Sequence, residues 1–81
     1  MRVRVLLFAL YRDLAGAPEI EIEVPAGATA RDAVRIVRGR GPAFERLPDQ
    51  PAIAVNEVYA NLETVLSDGD EVALIPPVAG G

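Results

Sequence analysis

Cysteine, histidine and lysine are all missing from this 81-residue chain. Their absence excludes disulfides, a thiol nucleophile, an imidazole base, iron–sulfur clusters and the usual zinc ligand sets. Chemistry is therefore expected to lie elsewhere than on the side chains, with no resident metal or tightly bound cofactor. All eight basic residues are arginine, so the chain offers no lysine ε-amine for acylation and cannot be linked to copies of itself through lysine. The net charge is −4 and no basic run occurs, which argues against nucleic acid or an anionic membrane and favours a neutral or basic protein partner. No stretch approaches the ~20 apolar residues of a membrane span. The N-terminus loosely imitates a signal peptide, with Arg2 and Arg4, an apolar run from Val5 to Tyr11, and Ala15-Gly16-Ala17. That run is short, Arg12-Asp13 follows it at once, and cleavage after Ala17 would delete the best strand candidate. A cytoplasmic location is the expectation.

What is present is a 51% hydrophobic composition, enough for one small domain near the size at which a core suffices without staples. No repeat, low-complexity tract or linker divides it. Residues 2–10 open with strict alternation and predict a strand, with Val3, Val5, Leu7 and Ala9 on one face and Arg2, Arg4, Leu6 and Phe8 on the other. Tyr11 to Ala15 predicts a short helical turn closed by Gly16 and Pro18. Glu19 to Val24 alternates cleanly and pairs as a hairpin with the first strand, setting an acidic row opposite the arginines. Thr29-Ala30-Arg31-Asp32 is a capping-box variant that opens a helix whose inner face is Ala30, Ala33, Val34 and Val37. Arg31, Arg35 and Arg38 fall largely off that face and are read as solvated. Ala43 to Pro51 is a loop or turn anchored by Phe44 and Leu47.

Ala52 to Asn56 and Val58 to Ala60 predict two short strands, and Glu71 to Ile75 a strongly apolar last one. The order gives an α+β fold, a mixed four- to five-stranded sheet curled around one main helix. Asp68, Asp70 and Glu71 form a carboxylate cluster, but Asp-Gly-Asp is ordinary turn composition and calcium needs roughly six to eight oxygens. Alternation also places Leu6, Phe8, Ala54, Tyr59, Ala73 and Ile75 on the sheet face away from the helix. An apolar area where water is expected points to a partner surface.

The chain ends Pro76-Pro77-Val78-Ala79-Gly80-Gly81. Neither proline donates a ladder hydrogen bond, so the strand stops and an extended tail begins. Six residues reach roughly 20 Å at about 3.3 Å each, enough to enter another protein's active site. Gly80 and Gly81, lacking Cβ atoms, pass a channel that larger residues would block, which would leave the terminal carboxylate open to attack. On the tail alone, a frayed end remains an equal alternative. The expected organisation is a domain over 1–75 and a tail over 76–81.

Taken in order, Phe8-Ala9 with Arg12-Asp13-Leu14-Ala15-Gly16, then Ala54-Val55-Asn56, then Leu66 to Ala73, then the tail, resemble one family along essentially the whole chain. It is the small, sulfur-carrying subunit of molybdopterin synthase, a ubiquitin-like β-grasp protein. The Pro-Pro-Val-x-Gly-Gly ending with the early Phe-Ala-x-x-Arg stretch looks more like this branch than the thiazole-forming branch of thiamin synthesis. The resemblance implies a non-catalytic subunit whose Gly81 carboxylate is adenylated by an ATP-dependent, E1-like activating enzyme. A persulfide sulfur donor converts it to a thiocarboxylate, and the tail delivers sulfur to cyclic pyranopterin monophosphate in the large synthase subunit, within a heterotetramer. Gly80 and Gly81 are then the reacting end; Phe8, Tyr59, Ile75, Pro76, Pro77, Val78 and Ala79 bind the partner. Alternatives are a carrier for thiamin, cysteine or tRNA thiolation or for protein conjugation, and a β-grasp interaction domain with an inert tail.

Overall fold

The computed structural model describes residues 1–77. The expectations for Val78, Ala79, Gly80 and Gly81 lie outside the described residues. Strand β1 (Arg2–Leu7) pairs antiparallel with β2 (Glu19–Glu23), Arg2 opposite Glu23 and Arg4 opposite Glu21. The alternation read in the sequence holds here, since Val3, Val5, Leu7 and Ile22 are buried while the arginines and glutamates face water. Arg2 Nε lies 3.1 Å from Glu23 Oε1 and Arg4 Nε 3.4 Å from Glu19 Oε2. Such exposed pairs each contribute under about 1 kcal/mol.

The first strand is shorter than expected, ending at Leu7 rather than at residue 10. Leu7 N donates to Pro18 O at 2.8 Å, and the chain then leaves the ladder into helix α1 (Ala9–Ala15). Ala9 has φ of 45° and is exposed, so it does not share the inner face with Val3, Val5 and Leu7. The freed Phe8 carbonyl accepts from Tyr11 N at 2.9 Å and Arg12 N at 3.3 Å. Helix formation from Ala9 therefore satisfies what the strand gave up. Gly16, at φ of 79°, closes the helix in the left-handed region that its lack of a Cβ permits.

Helix α2 (Ala30–Arg38) starts on the predicted capping box: Asp32 N donates to Thr29 Oγ1 at 3.3 Å, and Thr29 N to Asp32 Oδ2 at 2.9 Å. Ala30, Ala33, Val34 and Val37 are buried. They seat the helix on the inner face of the sheet with Val3, Val5, Ile22, Ile53, Val72 and Leu74. A four-residue helix, α3 (Pro42–Glu45), brings Leu47 into this core. Three further strands, β3 (Ala52–Val55), β4 (Val58–Ala60) and β5 (Glu71–Ile75), complete one mixed sheet in the order β2-β1-β5-β3-β4. The last strand is central, parallel to β1 and antiparallel to β3. Its Val72 and Leu74 are fully buried, each worth about 1.5–3 kcal/mol. Among the described residues, no helix is long and apolar enough to cross a membrane.

Candidate functional site

Alternation on β5 that buries Val72 and Leu74 turns Glu71, Ala73 and Ile75 to the opposite face. Register then builds a row across four strands: Leu6 opposite Ala73, Ala73 opposite Ala54, and Ala54 opposite Tyr59. The two alanines form a low floor between Leu6 and Tyr59. The resulting groove, about 280 Å³, is lined by Leu6, Phe8, Ala54, Glu57, Tyr59, Glu71, Ala73 and Ile75. All six apolar residues read from the sequence as one face are thus brought together. Phe8 reaches the groove although it has left β1, because its backbone is still extended (φ −115°, ψ 155°) where it caps α1.

Tyr59 is 80% exposed and Phe8 45%, so both rims offer aromatic surface that a protein partner would desolvate. Ile75 is half-buried at one end of the groove. Beyond it, Tyr59 and Ile75 also line a second hollow of about 480 Å³ with Tyr11, Pro48, Gln50, Pro51, Ala52, Pro76 and Pro77. Through Tyr59 and Ile75, which line both hollows, the groove with Phe8 adjoins Pro76 and Pro77 at the root of the tail. Tyr11 itself is buried, and that burial pushes its phenol pKa up.

Sequence reading missed one residue of the groove, Glu57, and, on the helix side of the sheet, the bonds made by Arg38 and Arg31. Glu57, part of a turn in the sequence, stands at the groove's other end. Ala54, read from the sequence as part of this apolar face, does lie in the groove and is only 8% exposed, as fits its floor. Arg38, read as part of a solvated helix face, donates through Nε to Leu47 O at 2.8 Å and through Nη2 to Glu45 O at 3.3 Å. Arg31 likewise reaches Glu63 Oε1 at 2.7 Å. Two of the three helix arginines thus clamp neighbouring segments, and only the long reach of arginine signals it in the sequence.

The acidic turn before β5 is structural. Asp68 Oδ1 accepts from Arg2 N at 2.9 Å and Asp70 Oδ2 from Ser67 N at 2.7 Å. Among the described residues, no group of three or more acidic side chains is arranged to hold a metal. A larger hollow of about 600 Å³ lies over Arg2, Arg4, Glu21, Glu23 and Asp68. Those arginines and glutamates are already joined across the hairpin or lie over it, so the smaller apolar groove is the better docking candidate.

A mixed sheet in this order, holding one main helix on its inner face and running from its central strand into the tail, defines a ubiquitin-like β-grasp protein. The chain belongs to the ThiS family, which it matches over residues 5–81. It is similar to the molybdopterin synthase sulfur carrier subunit of Mycobacterium tuberculosis, 39% identical over 82 residues that cover 100% of this chain and 99% of that protein. It superposes on SAMP1 from Haloferax volcanii with a TM-score of 0.87, at 32% identity and 100% coverage of both chains. A chain in the complex of subunits 1 and 2 of molybdopterin-converting factor from Helicobacter pylori is similar at TM-score 0.71 and 28% identity, again with 100% of both chains covered.

Proposed function

We propose that this chain is the sulfur-carrier subunit of a molybdopterin synthase, acting in the cytoplasm and not catalytic on its own. The observation that carries the reading is the apolar groove that runs along β5 into Pro76 and Pro77, in a chain whose sequence then ends Val78-Ala79-Gly80-Gly81. Docking of Phe8, Tyr59 and Ile75 on the large subunit aims the tail into that partner's active site. Pro76 and Pro77 stiffen its root, Val78 and Ala79 bind the partner along its channel, and Gly80 leads Gly81 to the acceptor.

The chemistry follows from the carboxylate. It is a poor acyl donor until an E1-like enzyme joins it to AMP, with ATP supplying the phosphate and pyrophosphate leaving. A persulfide sulfur then displaces AMP, and a thiol cleaves the sulfur–sulfur bond to leave the thiocarboxylate of Gly81. In the heterotetramer with two large subunits, that sulfur passes to cyclic pyranopterin monophosphate, and two such transfers build the dithiolene. Holding sulfur on a docked arm makes the transfer effectively intramolecular. The carrier needs no acid, base or nucleophile of its own.

Similarity to a small archaeal modifier protein supports a second reading, in which the activated Gly81 is joined to another protein. Both readings share activation and differ in acceptor. Intact mass after incubation with ATP, the activating enzyme and a sulfur source tests the first step, with peptide mapping of the C-terminus. Exchange of one oxygen for sulfur at Gly81 supports the carrier, and subsequent conversion of cyclic pyranopterin monophosphate in the presence of the large subunit distinguishes it from a modifier. An unchanged mass, with the enzymes active on a control carrier, refutes both and leaves an interaction domain with an inert tail.

A further inference from the structure

Glutamate is an unfavourable choice at position 57. The β3–β4 turn has two residues, Asn56 at φ 50° and Glu57 at φ 70°. Turns with both central angles positive favour asparagine and then glycine. Asn56 obeys that preference, whereas Glu57 carries a Cβ into the left-handed region, which destabilises the turn relative to glycine. Local turn chemistry therefore gives no reason for the residue.

Its position in the groove does. Along β5 the outward residues run Glu71, Ala73, Ile75, so the groove has an acidic end beside Glu57 and Glu71 and an apolar end at the tail. The two carboxylates differ in their electrostatics. Glu71 is only 27% exposed and faces Arg4 Nη2 at 3.7 Å. Glu57 is exposed and, among the described residues, has no ion-pair partner within 4.0 Å. An uncompensated charge at the end of an apolar groove complements a cation carried next to an apolar anchor.

We infer that the groove binds a two-part element of its partner protein: an apolar side chain seated on Ala54 and Ala73, with an arginine or lysine beside it that pairs with Glu57. This rests on the docking role proposed above for the same face. Glu57 is the part that sets the partner's orientation, because an apolar floor alone accepts an anchor from either direction. The cation fixes which end of the partner segment lies at the β3–β4 turn and which at the tail.

The test is calorimetric affinity for the molybdopterin synthase large subunit of the same organism, at low and high salt, for the wild type, Glu57→Gln, Glu57→Lys and Tyr59→Ala. Glutamine and lysine face the same backbone strain as glutamate, so these changes leave the fold in place, checked by melting temperature. Charge reversal is expected to weaken binding about tenfold or more at low salt, and Glu57→Gln by a few-fold. Both effects shrink at high salt, where exposed charges are screened. If Tyr59→Ala weakens binding while Glu57→Lys matches the wild type, the groove takes a wholly apolar element and this inference is overturned, with docking intact. If neither variant weakens binding, or the wild type does not bind, the docking role falls as well.

Discussion

The side-chain amide of Asn56 donates to Asp70 Oδ1 at 2.9 Å, tying the β3–β4 turn to the turn that launches β5. The same amide accepts from Glu71 N at 3.0 Å through Oδ1. One residue thus holds the left-handed turn angle and braces the acidic end of the groove. Asn56→Ala removes both bonds and leaves a Cβ at φ 50°, and is expected to cost about 1–2 kcal/mol. Asn56→Gly keeps the angle without the bonds and should lose less. Urea unfolding of both variants checks this ordering; an alanine variant as stable as the wild type would show that the brace contributes nothing.

Central burial of β5 makes a contrasting prediction. Leu74 is fully buried between β1 and β3, beneath α2. Leu74→Ala should therefore cost about 2–5 kcal/mol, a large share of the stability of so small a domain. A substitution on the outer face, at Tyr59, tells the two faces apart. Tyr59→Ala, at a side chain left mostly in water, should leave the urea midpoint within experimental error. Equal losses at both positions would mean that the outer face is part of the core.

The capping box makes stability depend on acid. Asp32 accepts hydrogen bonds from Thr29 N and Thr29 Oγ1, and the backbone bond first, then the hydroxyl and the nearby Arg35 and Arg31, outweigh desolvation and lower its pKa below 3.8. A lowered folded-state pKa means that the stabilisation is fully present above the unfolded-state value. It is lost as pH falls through the folded one. Asp32→Asn should accordingly be less stable than the wild type by a constant amount at neutral pH, with the gap closing in acid. Urea midpoints from neutral pH into the acid range would show it, and a gap that widens on acidification would contradict the assignment. Thr29→Ala, which removes the cap itself, should cost about 1 kcal/mol at neutral pH.

Much of this architecture was legible because local signals and packing agree. Glu19 to Glu23 alternates in the sequence and in burial, Thr29 and Asp32 form the capping box their spacing announces, and Val72 and Leu74 are as buried as their apolar run implies. The end of β1 was not legible. Apolar residues continue through Leu10, so periodicity cannot show that the backbone turns at Ala9, where a positive φ starts α1. The groove was half legible: alternation assigned its six apolar residues to one face, but register decides that Ala54 and Ala73 are adjacent and form a floor. Glu57 was hidden for a related reason. Turn position says nothing of which end of a groove the turn closes.

Ile75 joins the groove to the tail, so replacing it should separate binding from folding. Ile75→Asp places a charge where a partner is proposed to desolvate an apolar surface. Affinity for the large subunit should fall by about 2 kcal/mol or more, the size of a central anchor loss. The half-buried position of Ile75 makes a small drop in melting temperature acceptable, provided that the variant unfolds cooperatively above assay temperature. Normal calorimetric affinity in the folded variant would remove Ile75 from the interface.

Deleting Gly81 isolates the chemistry from both folding and docking. The residue lies six positions beyond Ile75, the end of β5, and among the described residues none after Ile75 belongs to the core. The truncated chain should therefore keep its melting temperature and its affinity for the large subunit within a few-fold. It ends instead at Gly80, one residue or about 3.3 Å short of the acceptor. A misplacement of that size is enough to lose the near-attack geometry on which intramolecular transfer depends. Product formation from cyclic pyranopterin monophosphate should fall below detection in a reconstituted assay, even if Gly80 is itself activated. Extending the chain by one alanine after Gly81 gives the complementary test, since it moves the carboxylate the same distance too far. Product formation by either variant at the wild-type rate would mean that the terminal carboxylate of Gly81 is not the group that carries sulfur.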